Sequence, residues 1–224
     1  MYKKDAFKKL DARYNTHLYT GLLGYAMRYS HRQLEKFNGK KKYSKVLEIG
    51  AGSAPHIDYL KHDYDEYFVA ETSDHALEFY KGMKNIKAYS YDGTDLPFNN
   101  NFFDRIIISQ CLEHINEPEK FLLEMMSKLK EGGILSISLP TDPGLLWRLG
   151  RLFIKYFIVK KTYNISKEEY EYINATEHVN SIFTLVNLIR YNFKKQIEEH
   201  CLPFRIKLID ANLFYIVHIT KSGN

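Results

Sequence analysis

The sequence predicts a doubly wound α/β fold, and three observations carry that expectation. Strand-like apolar runs near 45–49, 67–71, 86–91, 104–109 and 134–139 alternate with helical segments near 54–61, 74–81 and 117–130, the pattern of a mostly parallel sheet covered on both faces. The first run, Lys45-Val46-Leu47-Glu48-Ile49, breaks into the turn Gly50-Ala51-Gly52. Glu71 ends the second run, 21 residues after Gly50. Ligands of such sheets bind beyond the carboxyl ends of the strands, and Gly50, Glu71, Asp92 and Gln110 all fall at or just past such ends.

A Gly-x-Gly turn followed by an acid about twenty residues on is a nucleoside-binding arrangement. The glycines allow the backbone to approach a ligand, and the acid accepts hydrogen bonds from ribose hydroxyls. The dinucleotide form of the motif has a third glycine, where this chain has Pro55. Proline suits a first helical turn, with Ser53 or Ala54 near the cap. Glu48, two residues before Gly50, is badly placed for a pyrophosphate because like charges repel. It is well placed for a cation such as an amino group or a sulfonium.

Glu48-Ile49-Gly50-Ala51-Gly52 resembles the first motif of class I S-adenosylmethionine-dependent methyltransferases, and five further segments extend the resemblance in order. Tyr67-Phe68-Val69-Ala70-Glu71 resembles the second strand with its ribose-binding acid. Tyr91-Asp92-Gly93-Thr94-Asp95-Leu96-Pro97-Phe98 resembles the adenine-edge segment of the small-molecule (ubiquinone/menaquinone-type, type 11) branch. Phe103-Asp104-Arg105-Ile106-Ile107-Ile108-Ser109 and Cys111-Leu112-Glu113-His114-Ile115 resemble the fourth strand and the segment after it. Lys130-Glu131-Gly132-Gly133-Ile134-Leu135 resembles the turn into the fifth strand. The resemblance covers roughly residues 45–140. It implies a Rossmann-like, seven-stranded sheet ending in an antiparallel pair, S-adenosyl-L-methionine as cofactor, and cofactor contacts from Glu48, Gly50, Ala51, Gly52, Glu71, Thr72, Asp92, Gly93 and Gln110.

One domain is the simplest reading of 224 residues. Residues 1–39 form an N-terminal helical cap, 40–140 the cofactor-binding core, 141–203 a helical insert and 204–224 a terminal strand pair. The cap comprises helices over 4–13 and 16–37, the second capped by Thr16 and stopped by Asn38-Gly39. Asn116 and Glu119 form a candidate capping pair for the helix over 117–130. The final strands are expected near 204–209 and 212–219, after a helix over 182–200.

Two cysteines, Cys111 and Cys201, give neither a disulfide framework nor metal-ligand spacing. With no apolar signal segment at the start and no apolar run of transmembrane length, a cytoplasmic location is expected. The net charge of +5 hides an asymmetry: residues 1–45 carry +9, residues 46–140 carry −8 and residues 141–224 carry +4. Basic flanks around an acidic core suit an anionic small-molecule acceptor, and equally a solvated face.

Substrate choice is to be read in the insert. Leu145, Leu146, Leu149, Leu152, Phe153, Tyr156 and Phe157 form one helical stripe, with Arg148, Arg151 and Lys155 on another face and Trp147, Ile154 and Ile158 outside both. Such a helix suits a lid, a homodimer interface or peripheral contact with a membrane.

Methyl transfer from a sulfonium is an in-line displacement that rests on positioning and exclusion of water, with a general base where the acceptor is a hydroxyl. His114, after the fourth strand, and His178, just before a helix of the insert, are the candidate catalytic residues. His56 and His31-Arg32 are further candidates for cofactor or substrate contact. No metal is expected, because Gln110 stands where metal-dependent relatives place an acid. The first choice of acceptor is a hydroxyl of a nucleotide- or lipid-linked sugar in surface-polysaccharide synthesis. Alternatives are a quinone or other metabolite, an RNA, or a non-catalytic cofactor-binding regulatory role. Ser109-Gln110-Cys111-Leu112 lacks the Asn/Asp-Pro-Pro-aromatic motif of base-amino methylation, which argues against nucleic acid, and Pro55 and Glu48 argue against a dehydrogenase.

Overall fold

In the computed structural model, residues 21–36, 42–52, 56–91, 93 and 96–222 are described. The expected helix over 4–13, Thr16, Asn38-Gly39, Ser53 to Pro55, Asp92, Thr94 and Asp95 lie outside them. The elements in chain order are α1 (Gly21–Lys36), β1 (Lys42–Ile49), a 3-10 turn (His56–Tyr59), β2 (Asp63–Glu71), α2 (Asp74–Phe79), β3 (Ile86–Ser90) and β4 (Phe103–Ser109). A second 3-10 turn (Leu112–His114) leads to α3 (Pro118–Lys128) and β5 (Leu129–Pro140). The insert holds α4 (Leu145–Phe157), a π-turn (Val159–Tyr163), α5 (Lys167–Glu177) and α6 (Ile182–Phe193). β6 (Ile197–Leu202), a 3-10 turn (Ile209–Ala211) and β7 (Phe214–Thr220) follow.

The seven strands form one sheet in the order β3-β2-β1-β4-β5-β7-β6. β1 to β5 run parallel, and β7 is antiparallel to both β5 and β6. Successive residues of β1 enter different cores: Leu47 and Ile49 join one apolar cluster and Val46 the other. A strand buried on both faces reads as a continuous apolar run, which is why β1, β2 and β4 were legible. The strand order reverses direction between β1 and β4, so the carboxyl ends of these two strands flank the crevice where ligands of such sheets sit.

The ends of several elements differ from expectation. The strand expected at 204–209 is a loop, and β6 is Ile197–Leu202, which begins inside the expected helix over 182–200 and runs two residues past it. Phe204-Arg205-Ile206-Lys207-Leu208 alternates as a strand does, but all five residues are exposed. Pro203, which has no N–H for a ladder, ends β6. Buried Asn212 then shapes the loop by accepting from the Phe204 N–H and donating to the Ile206 and Leu208 carbonyls. The expected Asn116/Glu119 cap is replaced by Glu117 as N-cap without a side-chain bond, with Pro118 at the start of α3. Among the described residues of 54–61, only a single 3-10 turn forms.

A buried polar layer joins α1 to the sheet. Glu35 of α1 ion-pairs with Arg105 of β4 at 2.6 Å and meets His56 at 2.8 Å. His31 contacts His56 at 2.9 Å through the Nδ1 atoms and stacks on Tyr59. Arg105 also donates to Ser136, which in turn meets His218 at 3.0 Å. Burial, reinforced by His56, holds His31 well below the usual histidine range. Burial, with Arg105 nearby, pushes His218 down to about 3, and His62 is lowered in the same way. Burial alone would raise Glu35, but His56 and Arg105 hold its carboxyl far below the usual range.

These shifts fix the sign of a pH dependence. As pH falls through about 6.5, the unfolded chain protonates His31, His62 and His218 first, while the folded chain keeps these three neutral. Stability is therefore full above that pH and drains below it. His218 alone contributes a loss on the order of 3 kcal/mol by pH 4. Thermal melts at pH 7.5 and pH 4.5 should show a large drop in midpoint that the His218→Gln variant reduces. Equal midpoints would contradict this account of the layer.

Candidate functional site

The turn after β1 is bound to the strand beside it. The Gly50 N–H donates to the Ala70 carbonyl at 2.9 Å, and the Gly52 N–H donates to Glu71 Oε2 at 2.9 Å. Gly50 and Gly52 have φ of +66° and +57°, in the left-handed region that favours glycine. Gly50 has a second constraint, since an added Cβ would lie 2.6 Å from Cys111 Sγ. Glu71 Oε1 accepts from the Thr72 and Ser73 N–H groups and from the Thr72 hydroxyl. One carboxylate thus orders both the glycine turn and the loop after β2.

Between these loops and the end of β4 lies a cleft of about 640 Å³, within the usual range for small-molecule and cofactor sites. Gly50, Glu71, Thr72, Gly93, Gln110 and His114 line it. Gln110 has φ of +54° and donates its side-chain amide to Ser138 Oγ at 3.1 Å. Ala51 is buried and lies outside the lining. Asp92 lies outside the described residues.

Three expectations are corrected here. Glu48 does not line the cleft; it is 1% exposed and projects to the face packed by α1. Its oxygens accept from the His56 N–H at 2.9 Å and from the Tyr67 hydroxyl at 2.7 Å. It is therefore a brace beneath the turn. His56 and His31 belong to the buried polar layer and are likewise absent from the lining.

The insert brings His178 beside His114, with ring centroids 5.0 Å apart. His114 donates Nδ1–H to the Glu177 carbonyl at 2.7 Å. His178 presents Nδ1 to Asp142 Oδ2 at 2.7 Å, and Arg151 meets the same oxygen at 2.6 Å. A carbonyl and a carboxylate only accept, and the Asp142 contact of His178 is much shorter than the 3.3 Å approach of the Arg151 guanidinium to the same Nδ1, so each ring carries its proton on Nδ1 and, when neutral, its lone pair on Nε2. Burial lowers His114 from its ordinary value, which keeps that lone pair available at neutral pH. Burial pushes the Cys111 thiol far up, so it packs against Gly50 and is a poor nucleophile.

Two groups went unseen in the sequence. Glu113 is fully buried, and burial pushes its carboxyl up to about 7. It sits in the Cys111-Leu112-Glu113-His114-Ile115 segment, whose histidine drew attention first. Asp142, buried after β5, orients His178, and no spacing in the sequence announces it.

The amphipathic helix of the insert is turned outward. Leu145, Leu149, Leu152, Phe153, Tyr156 and Phe157 are 48–71% exposed. The off-stripe residues Trp147, Ile154 and Ile158 pack inward instead. No residue of α4 lines the cleft.

Residues 47–137 match the family model described as a methyltransferase domain. The chain is 32% identical over 153 residues to a demethylmenaquinone methyltransferase of Staphylococcus carnosus (strain TM300), covering 61% of each protein. It is 30% identical over 140 residues to one from Clavibacter sepedonicus, covering 59% of this chain and 57% of that protein. The chain thus spans about three fifths of the length of these curated relatives. A methyltransferase of Thermotoga maritima, described as a possible histamine N-methyltransferase, has the same fold at TM-score 0.64 and 19% identity, covering 97% of this chain and 99% of that one. The plantazolicin methyltransferase BpumL in complex with SAH superposes at TM-score 0.65 and 15% identity, covering 97% of this chain and 90% of that one. The order of the sheet, the glycine turn clamped to Glu71 and the match over 47–137 together make this part of the chain similar to the methyltransferase domains of these proteins.

Proposed function

We propose that this chain transfers the methyl group of S-adenosyl-L-methionine to a small, amphiphilic acceptor of the quinol type. The observation that carries the reading is the cleft itself, which has the Gly50 turn and Glu71 on one side and His114 on the other. Glu71 receives the ribose hydroxyls and Gly50 the adjoining backbone contacts. Thr72 and Gly93, with Asp92, take the adenosine end, and Gln110 stands beside the methionine end. His114 and His178 act on the acceptor's hydroxyl proton. Loss of that proton makes the oxygen, or a ring carbon conjugated to it, nucleophilic toward the sulfonium methyl. Cofactor and acceptor are held in line with water excluded, which supplies most of the rate.

The relatives named demethylmenaquinone methyltransferase favour a quinone-type acceptor over the sugar hydroxyl that was the first choice from sequence. No comparison supports polysaccharide synthesis. The outward face of α4 favours the same acceptor class, because such a compound resides in a bilayer. Lys160 and Lys161 follow that apolar stripe, and all are exposed. The loop with exposed Phe204, Ile206 and Leu208, interleaved with Arg205 and Lys207, adjoins its start, where the Leu145 N–H donates to Asp210 at 3.2 Å. No helix among the described residues is long and apolar enough to cross a membrane. Apolar side chains ringed by lysine and arginine suit a helix lying on an anionic surface.

Two outcomes are expected. Purified protein with labelled S-adenosylmethionine should methylate a short-chain demethylated naphthoquinol, and not a nucleotide-sugar or RNA, with turnover reduced about a hundredfold or more in His114→Ala. Transfer to the nucleotide-sugar alone would overturn the acceptor class. In vesicle sedimentation, the protein should bind phosphatidylglycerol-containing bilayers and not pure phosphatidylcholine. The Phe153→Asp/Phe157→Asp double variant should lose that binding, and equal partitioning of variant and parent would remove the membrane face.

A further inference from the structure

Beside the cleft, at His114, lies a group of side chains that the transfer reaction alone does not require. Glu113, His114 and His178 each bring one ligand-type atom within 4.8 Å of the others. They are close without being bonded to one another: Glu113 Oε1 lies 3.8 Å from His114 Nε2, too far for a hydrogen bond. Glu113 Oε2 is buried and has no hydrogen-bond partner. A buried carboxylate with an idle oxygen beside two imidazoles is an unfavourable arrangement unless something fills the gap between them.

We propose that Glu113, His114 and His178 form a binding site for one divalent transition-metal ion of the zinc class. The donor set is two imidazoles and one carboxylate, the composition of catalytic zinc sites that keep a further position open. Borderline nitrogen donors favour zinc, cobalt or nickel over magnesium, which takes oxygen ligands. The outer contacts already fit. His114 Nδ1–H is held by the Glu177 carbonyl and His178 Nδ1 by Asp142, which leaves both Nε2 lone pairs for an ion. Metal-ligating histidines are oriented by this kind of second contact. Ligands of a tetrahedral zinc ion with bonds near ~2.05 Å lie about 3.4 Å apart, so closing the site takes side-chain movements on the order of 1 Å.

The ligands come from two parts of the chain. Glu113 and His114 follow β4, whereas His178 arrives with the insert. An ion there would pin the insert to the core beside the cleft, because His114 lines it. The sequence led to an expectation of no metal because Gln110 stands where metal-dependent relatives place an acid; the proposed site departs from that expectation, with Glu113 supplying a carboxylate three residues later.

This inference deepens the proposed function, since the ion would hold the acceptor's hydroxyl oxygen and lower its pKa. The proton passes out to bulk water as the acceptor binds; the oxyanion then attacks the methyl carbon, and the carbon–sulfur bond breaks with its electron pair returning to sulfur. The two histidines act on the proton through the ion.

The test is cobalt and zinc titration of chelator-stripped protein, read by the visible absorption of Co²⁺ and by metal content after desalting. Parent protein should take up one equivalent of Co²⁺ with a tetrahedral-type spectrum, displaced by Zn²⁺. Glu113→Gln and His178→Ala should each weaken uptake roughly tenfold or more, whereas His200→Ala, on the far β6 edge, should not. SAH binding, followed separately, should persist in the stripped parent and in both variants, which also reports that they fold. No uptake by the parent, or equal uptake by the Glu113 and His178 variants, would overturn the site even if SAH binds. Failure of SAH binding with metal uptake intact would count against the methyltransferase reading and leave the metal site standing.

Discussion

The cofactor end of this molecule depends on one constraint: the turn after β1 must cross the end of the sheet with no side chain at Gly50. The Gly50 N–H is bonded to β2, and the position a Cβ would occupy is filled by Cys111. Glu71 then secures Gly52 from the neighbouring strand end. These contacts set the loops after β1, β2 and β4 at one edge, where the direction of strand order reverses. A larger residue at Gly50 would separate the turn from the β4 end and widen the cleft at its base.

Support for that turn comes from an unusually polar core. Glu48 sits below it and spends both oxygens on His56 N–H and Tyr67. His56 in turn meets Glu35, which pairs with Arg105 of β4. The chain of contacts runs from cap helix to glycine turn to central strand without reaching solvent. Removing one partner of a buried ion pair strands the remaining charge, at a cost of several kcal/mol, so the loss of Glu35 or Arg105 alone would loosen the cap on the sheet. It also explains why histidines that looked like ligand contacts are structural.

The core was legible because its chemistry leaves few choices. Strands buried on both faces read as apolar runs, and a turn with two left-handed residues reads as glycine. Glu71 followed from spacing. What the sequence hid is tertiary. Glu48 has the residue type of a cation contact, yet the pleat of β1 points it to the α1 face. Phe204 to Leu208 has strand periodicity without a neighbouring strand to pair with, while Ile197–Leu202 pairs with β7 despite a helix-like approach. The insert gave its amphipathic stripe correctly, but periodicity does not reveal which face turns outward. The meeting of Glu113, His114 and His178 joins residues more than sixty positions apart, and no local pattern encodes it.

The central claim is that the edge cleft is an S-adenosylmethionine site formed by the clamped glycine turn. Calorimetric titration with S-adenosylhomocysteine, with NAD as the control ligand, tests it most directly on the parent protein and on Gly50→Val. The account predicts micromolar binding of S-adenosylhomocysteine alone by the parent, and its loss in a variant that still melts cooperatively. Binding of NAD in its place, or undiminished binding by folded Gly50→Val, would contradict it.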